Sequence, residues 1–535
     1  GSASMLRRAL VLLFVSSLVG AGIASASPAF FISGRGWGHG VGMSQWGAYG
    51  YAQRGTTYDK ILAHYYVGTE LGDAPLARVR VLLGEGRKAV TIGSDVPFRV
   101  RDGAGQIYEL EPGAYAFGPG LRVKVGPAAD PKPLTAPLLF LPGSEPLRYG
   151  KATYRGQIQV NAGKNALQVV NNIGLEPYLY GVVPREVPFT WPDEALKAQA
   201  VVARSYALAV RRTGAFDLFS DTRSQVYGGV AAEKPSTNAA VDATARQVLL
   251  FEGEVATTYF FSTSGGRTAS IADVWTAGES IPYLTSVPDP YDSASPHHVW
   301  GPFSFTAKKL VSTFKVPGRL LDARVTPNPS QRVDTVTFVG SKGEVTVTGA
   351  DVRTKLKLRS TWFRVGVLSL DPLPAPVEFG GQAKLTGLVR GSAKVTLEQR
   401  VSGQVWEPAA RATPGADGAL AVLVKPLVST DYRLSVAAGV FGSPVRVSVA
   451  PRVRLQPVTE QTTLRGIVRP VVPGARVDVQ RLSGAAWKTV GTGVLDTAGA
   501  FEAAVRLTPG TYRARVAPGR GLVPGVSPVL KVVSG

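Results

Sequence analysis

The sequence predicts an α+β core followed by two all-β sandwich modules, and three observations carry that prediction. One Ala-rich helix stands out between Thr190 and Arg212. Short segments of alternating polarity dominate from about Arg78 to Val170. Beyond residue 376 the chain has the texture of strands and turns alone, with a repeat of about 80 residues. At 535 residues, 44% hydrophobic and 18% charged, it has a globular composition and the length for several cores.

Residues 1–4 resemble an expression-tag scar ahead of Met5. Arg7-Arg8, an apolar run from Ala9 to Ile23 and then Ala24-Ser25-Ala26 have the order of a secretory signal peptide ending near Ala26. The run is shorter than the ~20 apolar residues that span a bilayer, so cleavage is expected and no transmembrane segment should remain. The expected location is outside the cytoplasm: cell envelope, periplasm or wall. With no cysteine, disulfides and thiolate metal sites are excluded. A formal net charge of +21 attracts polyanions. Export directs that attraction to anionic envelope polymers and away from nucleic acid.

The block Gly34–Gly50, GRGWGHGVGMSQWGAYG, has seven glycines in seventeen positions. It contains no G-x-G-x-x-G, and Ala48 stands where a phosphate-binding loop needs Lys. Alternating glycines let a backbone lie close under a ligand. Trp37 and Trp46 offer faces for sugar rings, and His39, Ser44 and Gln45 offer hydrogen bonds. Composition leaves two readings open, a glycan groove and a turn packed against the core.

Between residues 78 and 170, ARVRVLL, KAVTIG, LRVKVG and GQIQVNAG alternate as half-buried strands. Glu186 follows in VVPREVPFTW, between two prolines among valines and aromatics. An apolar setting raises a carboxyl pKa, whereas the nearby helix N-terminus lowers it, so the sequence leaves the direction open. In the helix, Pro192 suits the first turn, Asp193 and Glu194 the positive end and Arg211-Arg212 the negative end; Thr213-Gly214 supplies a stop. Leu196, Ala200, Ala203 and Ala207 share one face.

Three further clusters carry polar side chains: Asp221–Gly229, Tyr259–Thr268 and Ser295–Trp300. The last holds His297-His298, but adjacent histidines rarely share a metal and no third ligand has suitable spacing. After the proline-rich linker Asp371–Pro376, LTGLVRG at Leu385 matches LRGIVRP at Leu464. VTLEQRVSGQVW at Val395 matches VDVQRLSGAAW at Val477, and DYRLSV at Asp431 matches TYRARV at Thr511. Neither repeat shows a dense polar or aromatic cluster, so both read as spacer or wall-docking modules, covering 377–450 and 451–535.

Taken together, VVPREVPFTWPDEALKAQAVVARSYAL, SQVYGG, YFFSTSGGRTAS, LRSTWF and the glycine-rich block with its continuation resemble the SpoIID/LytB family over roughly residues 30–370. The resemblance implies a catalytic core at 27–370 and peptidoglycan as substrate, cut by a lytic transglycosylase. The Glu of the family's E-[MV]-P element maps onto Glu186 as catalytic acid. His39, Gln45, Arg204, Tyr206, Gln225, Tyr227, Ser262 and Ser264 map as groove lining. A hydrolase would normally need a second carboxylate, for which Asp221 and Asp273 are the candidates. The name LytB implies an alternative, a non-catalytic enhancer with a cell-wall amidase as partner; a third reading is an envelope-organising protein. Some members hold zinc through His and Cys ahead of a Gln-x-Tyr element; here Arg223-Ser224 stand there, so neither metal nor another cofactor is expected. The glycine-rich block, 30–71, precedes LRSTWF although the family places it after, which implies circular permutation. Phe30–Ser33 should then pair antiparallel with Phe363–Leu368.

Overall fold

The computed structural model describes residues 27–126, 130–275, 280–436 and 439–533; the expected signal segment lies outside them. Helices and strands are mixed as far as residue 370, and strands alone follow. Among the described residues no helix is long and apolar enough to cross a membrane.

A seven-stranded sheet runs in the order Leu218–Phe219, Arg78–Arg87, Leu167–Gly174, Gln157–Ala162, Leu138–Leu141, Phe98–Arg101, Ile107–Leu110. Its first half packs under the helices Leu175–Tyr180, Asp193–Ala209 and Pro235–Ala243. The other half closes with the four-stranded sheet containing Val90–Ser94 and Gly113–Phe117 around a core of its own. Of the alternating segments, LRVKVG yields only the two-residue strand Arg122–Val123.

The long helix is bounded by Pro192 at its N-cap and Val210 at its C-cap. Arg211 and Arg212 therefore lie past its end, and Arg212 instead sits over the rings of Phe216 and Phe219. Leu196, Ala200, Ala203 and Ala207 join the core above the sheet. Ala195, Ala198, Val201 and Val202 join a second core with the helices Gln45–Ala52 and Tyr58–Tyr65. The helix is thus buried on two sides, and its small residues let both neighbours approach.

The strand Ala29–Arg35 pairs antiparallel with Phe363–Leu370, in the register Ala29↔Leu368 through Gly34↔Phe363. This is the pairing expected from the motif order. On its other edge the same strand pairs with Val299–Phe305.

One expectation needs correcting. The proline-rich segment 371–376 does not link independent units, because Phe363–Leu370 also pairs with Ala383–Arg390 of the first repeat. One five-stranded sheet runs across the expected boundary. Phe31, Leu368 and Leu370 bury against Leu385, Val389 and Leu434. An unpaired, apolar strand edge at 363–370 would be left exposed otherwise. The second repeat has a separate core formed by strands of two sheets.

Candidate active site

The glycine-rich block is packed backbone to backbone. Gly36, Gly38, Gly40 and Gly42 have φ between +74° and +118°, a region that other residues avoid. Trp37 bridges to Thr263, Val41 to Ala269, and Met43–Ser44 pairs with Phe260–Phe261. A Cβ on Gly36 would lie 2.6 Å from the Thr263 carbonyl oxygen, and one on Gly42 would overlap that of Tyr259. Gly42→Ala is expected to destabilise the core by about 2–4 kcal/mol through backbone strain and overpacking, measured by denaturant unfolding.

This packing brings His39 into the cleft that Glu186 lines and Gln45 onto the Glu186 backbone. Glu186 ends the helical turn Val183–Glu186, after which Val187 is extended. Gln45 is buried, and its Nε2 donates to the Glu186 backbone carbonyl and to Gln199 Oε1, each at 3.3 Å. It fixes the turn against the long helix.

Glu186 lines a cleft of about 360 Å³ with His39, Tyr206, Gln225, Tyr259, Phe260 and Trp275. Removal from water pushes its carboxyl pKa up to about 7, outweighing a backbone hydrogen bond from Val226 and the Arg185 charge. The direction that the sequence left open is thus decided by burial. Near neutral pH the group exists in both protonation states, as an acid that later serves as a base requires.

His39 is neutral at that pH, since burial lowers its pKa to about 4. Its Nδ1 accepts from the Val41 N–H at 3.1 Å, which leaves the Nε2 proton to donate to the Phe260 carbonyl at 3.1 Å. With both nitrogens engaged, His39 is part of the wall and carries no proton for a substrate. Gln225 is similarly committed: its Oε1 accepts from the Tyr178 hydroxyl at 3.1 Å and its Nε2 donates to the Ala203 carbonyl at 3.2 Å. It anchors the loop that aims the Val226 N–H at Glu186.

The motifs therefore place Glu186, His39, Tyr206 and Gln225 in one cleft, and the remaining residues elsewhere. Arg204 is fully buried, paired with Glu176 at 2.6 Å and donating to the carbonyls of Val241 and Gln247. The buried Tyr227 hydroxyl donates to Asn171 at 2.9 Å. Ser264 is buried and donates to the Asp292 carboxylate at 3.0 Å. Ser262 Oγ bonds Thr263 Oγ1 at 3.1 Å, and its carbonyl accepts from the Trp46 N–H. As groove lining, Gln45, Arg204, Tyr227, Ser262 and Ser264 are corrected: none lines this cleft, and their polar atoms serve internal hydrogen bonds.

Tyr259, Phe260 and Trp275 also line the cleft but are not among the groove residues that the motifs assign. Tyr259 and Phe260 open the YFFSTSGG motif, so their signal was present; Trp275, just past the short helix Ile271–Val274, carried none. Among the described residues Glu186 is the one carboxylate lining the cleft. Asp221 is forked onto Arg223, which holds its pKa down to about 2. Asp273 accepts from the Ser330 N–H at 3.0 Å. His298 pairs with Asp292 at 2.7 Å, and His297 packs edge-on against Trp37.

Fold and cleft define a protein of mixed helix and strand with one buried carboxyl in a cleft walled by aromatic rings. The chain belongs to the SpoIID family. A profile described as SpoIID, Stage II sporulation protein, matches residues 163–251, which include Glu186 and the long helix. Stage II sporulation protein D of Bacillus subtilis is 31% identical over 242 residues, covering 41% of this chain and 68% of that protein. Its namesake in Bacillus amyloliquefaciens is 35% identical over 215 residues, 36% of this chain and 60% of that one. The amidase enhancer of Bacillus subtilis is 40% identical over 114 residues, 21% of this chain and only 15% of the enhancer. An uncharacterized protein of Brachyspira hyodysenteriae is 39% identical over 138 residues, 25% of this chain and 37% of that protein. Among solved structures, the human OSCAR ligand-binding domain aligns at 14% identity with a TM-score of 0.14 over 31% of this chain and 97% of that one, too slight for a statement about fold.

Proposed function

We propose that the chain is an exported cell-wall protein whose cleft cuts peptidoglycan glycan strands as a lytic transglycosylase. The observation that carries this reading is the single buried carboxyl of Glu186, with a pKa of about 7, in an aromatic-walled cleft. Glu186 donates its proton to the glycosidic oxygen as the C1–O bond breaks. Its carboxylate then takes the proton of the sugar's own C6 hydroxyl as that oxygen bonds C1. The proton is regained, no water is consumed and the product is a 1,6-anhydro end. One carboxylate suffices for this sequence, whereas hydrolysis normally uses two. Tyr206, Tyr259 and Trp275 would hold the sugar rings, and Gln45 and Gln225 position the acid. Family membership supports the wall as the site of action, and the signal-like segment supports export.

Mass spectrometry of glycan strands freed of stem peptides tests the reading. Anhydro ends from the parent chain and none from Glu186→Gln support it, whereas hydrated reducing ends would show hydrolysis. The identity with an amidase enhancer favours a second reading, a wall-binding stimulator of a separate amidase. It predicts no glycan product but faster peptide release when an amidase is added.

A further inference from the structure

The two C-terminal repeats share a register, and the differences between them mark a surface. In the first repeat Glu398 lies opposite Arg433, and Asp431 opposite Arg446. In the second, Gln480 lies opposite Arg513, and Thr511 opposite Lys531. Both acids of the first repeat are thus replaced by neutral residues, while both cations are kept. Each repeat also stacks a tryptophan on an arginine, Trp406 with Arg433 at 4.2 Å and Trp487 with Arg513 at 4.1 Å. The sequence alone did not reveal these clusters, since strand pairing assembles them.

The electrostatic consequences differ. In the first repeat the arginines beside the tryptophan have carboxylates: Arg433 pairs with Glu398 at 2.7 Å, and Arg400 and Arg446 share Asp431. In the second, Arg513 Nε donates to the neutral Gln480 Oε1 at 2.8 Å. Arg515 and Lys531 make no ion pair among the described residues; Asp478, which lies opposite Arg515 where the first repeat has Thr396, is held by Arg476 at 2.8 Å. Tyr512, Ala514 and Val516 are buried, so alternation turns Thr511, Arg513 and Arg515 outward. Arg513 and Arg515 then stand roughly 7 Å apart along the strand, beside the flat ring of Trp487.

We propose that this outer face of the second repeat binds a carboxylate-bearing glycan, namely a peptidoglycan strand freed of its stem peptides, and so tethers the strand that the cleft acts on. The proposal builds on the wall reading above. Removal of the peptides leaves a free lactyl carboxylate on alternate sugars, and a chain of apolar ring faces between them. Unpaired guanidinium and ammonium groups match the carboxylates, and Trp487 matches the rings. In the first repeat the cations at the corresponding positions, Arg433 and Arg446, are already neutralised by Glu398 and Asp431.

The test uses the full chain carrying Glu186→Gln, so that strands stay intact, and measures affinity by calorimetry. The probes are amidase-stripped glycan strands and the same strands with their carboxyls reduced to alcohols. Arg513→Gln/Arg515→Gln/Lys531→Gln should weaken binding of the stripped strands by about tenfold or more. Gln480→Glu/Thr511→Asp, which installs the acids of the first repeat, should do the same without loss of thermal stability. Reduced strands should bind the parent as weakly as stripped strands bind the variants. Any binding in the cleft is common to all these chains and cancels. Unchanged affinity in both variants, equal binding of reduced strands, or binding confined to a phosphate-bearing wall polymer would overturn the proposal. Because no cleavage is read, failure of Glu186 as an acid leaves this result standing.

Discussion

Glu186→Gln should lower glycan cleavage by roughly a thousandfold, the middle of the range for loss of a general acid. The amide keeps the shape of the side chain but can neither give nor take the proton. For the parent, the pH profile should lose activity as pH rises through about 7, where Glu186 ionises. His39 adds no limb between pH 5 and 8, because its pKa lies at about 4.

The same substitution has a second readout, independent of substrate. The carboxyl pKa is raised in the folded state, from 4.5 to about 7, so the folded chain binds more protons than the unfolded chain between those values. Stability therefore falls as pH rises from 4.5 to 7. Above that window the buried charge costs on the order of 1–3 kcal/mol, a range discounted for partial solvent access. Glu186→Gln removes this cost, so the variant should exceed the parent in stability at pH 8 and match it below pH 4.5. Equal stability at pH 8 would place Glu186 in solvent and remove the basis for its role as an acid.

Arg204→Ala should be the most damaging substitution for stability, by about 3–5 kcal/mol. It leaves the Glu176 carboxylate without its cation and removes the guanidinium donors to the carbonyls of Val241 and Gln247. These groups join the long helix to the segment Pro235–Phe251, so the first unfolding transition in denaturant should report the loss. The replacement Arg204→Met with Glu176→Leu should recover much of it, because an apolar pair of similar volume avoids the desolvation of both charges. If Arg204 faced a substrate instead, the single substitution would leave unfolding unchanged and weaken only glycan binding.

The glycine-rich block shows how the two readings that composition left open are resolved. Four of its glycines adopt positive φ; Gly36 and Gly42 press on the backbone of Thr263 and Tyr259, and Gly38 and Gly40 on the side chains of Phe261 and Arg332, so it is a packed turn. It still contributes to the cleft, through His39 alone. Its place in the chain, with the strand Ala29–Arg35 paired to Phe363–Leu370, fits the proposed permutation. The Ser360 hydroxyl donates to the Arg35 carbonyl, 325 positions away in the sequence, and adds to that junction.

By itself the sequence determined the long helix, the repeat, the glutamate within VVPREVPF and the pairing of two strands at opposite ends of the core. Each depends on local pattern or on motif order, which are written along the chain. Only the tertiary structure decided the direction of the Glu186 pKa, the burial of Arg204, Tyr227 and Ser264, and the sheet that joins core to first repeat. It also decided that Arg513 and Lys531 face neutral residues where Arg433 and Arg446 face carboxylates. These properties depend on how much water and which charges surround a side chain, and those neighbours come from segments far apart in sequence.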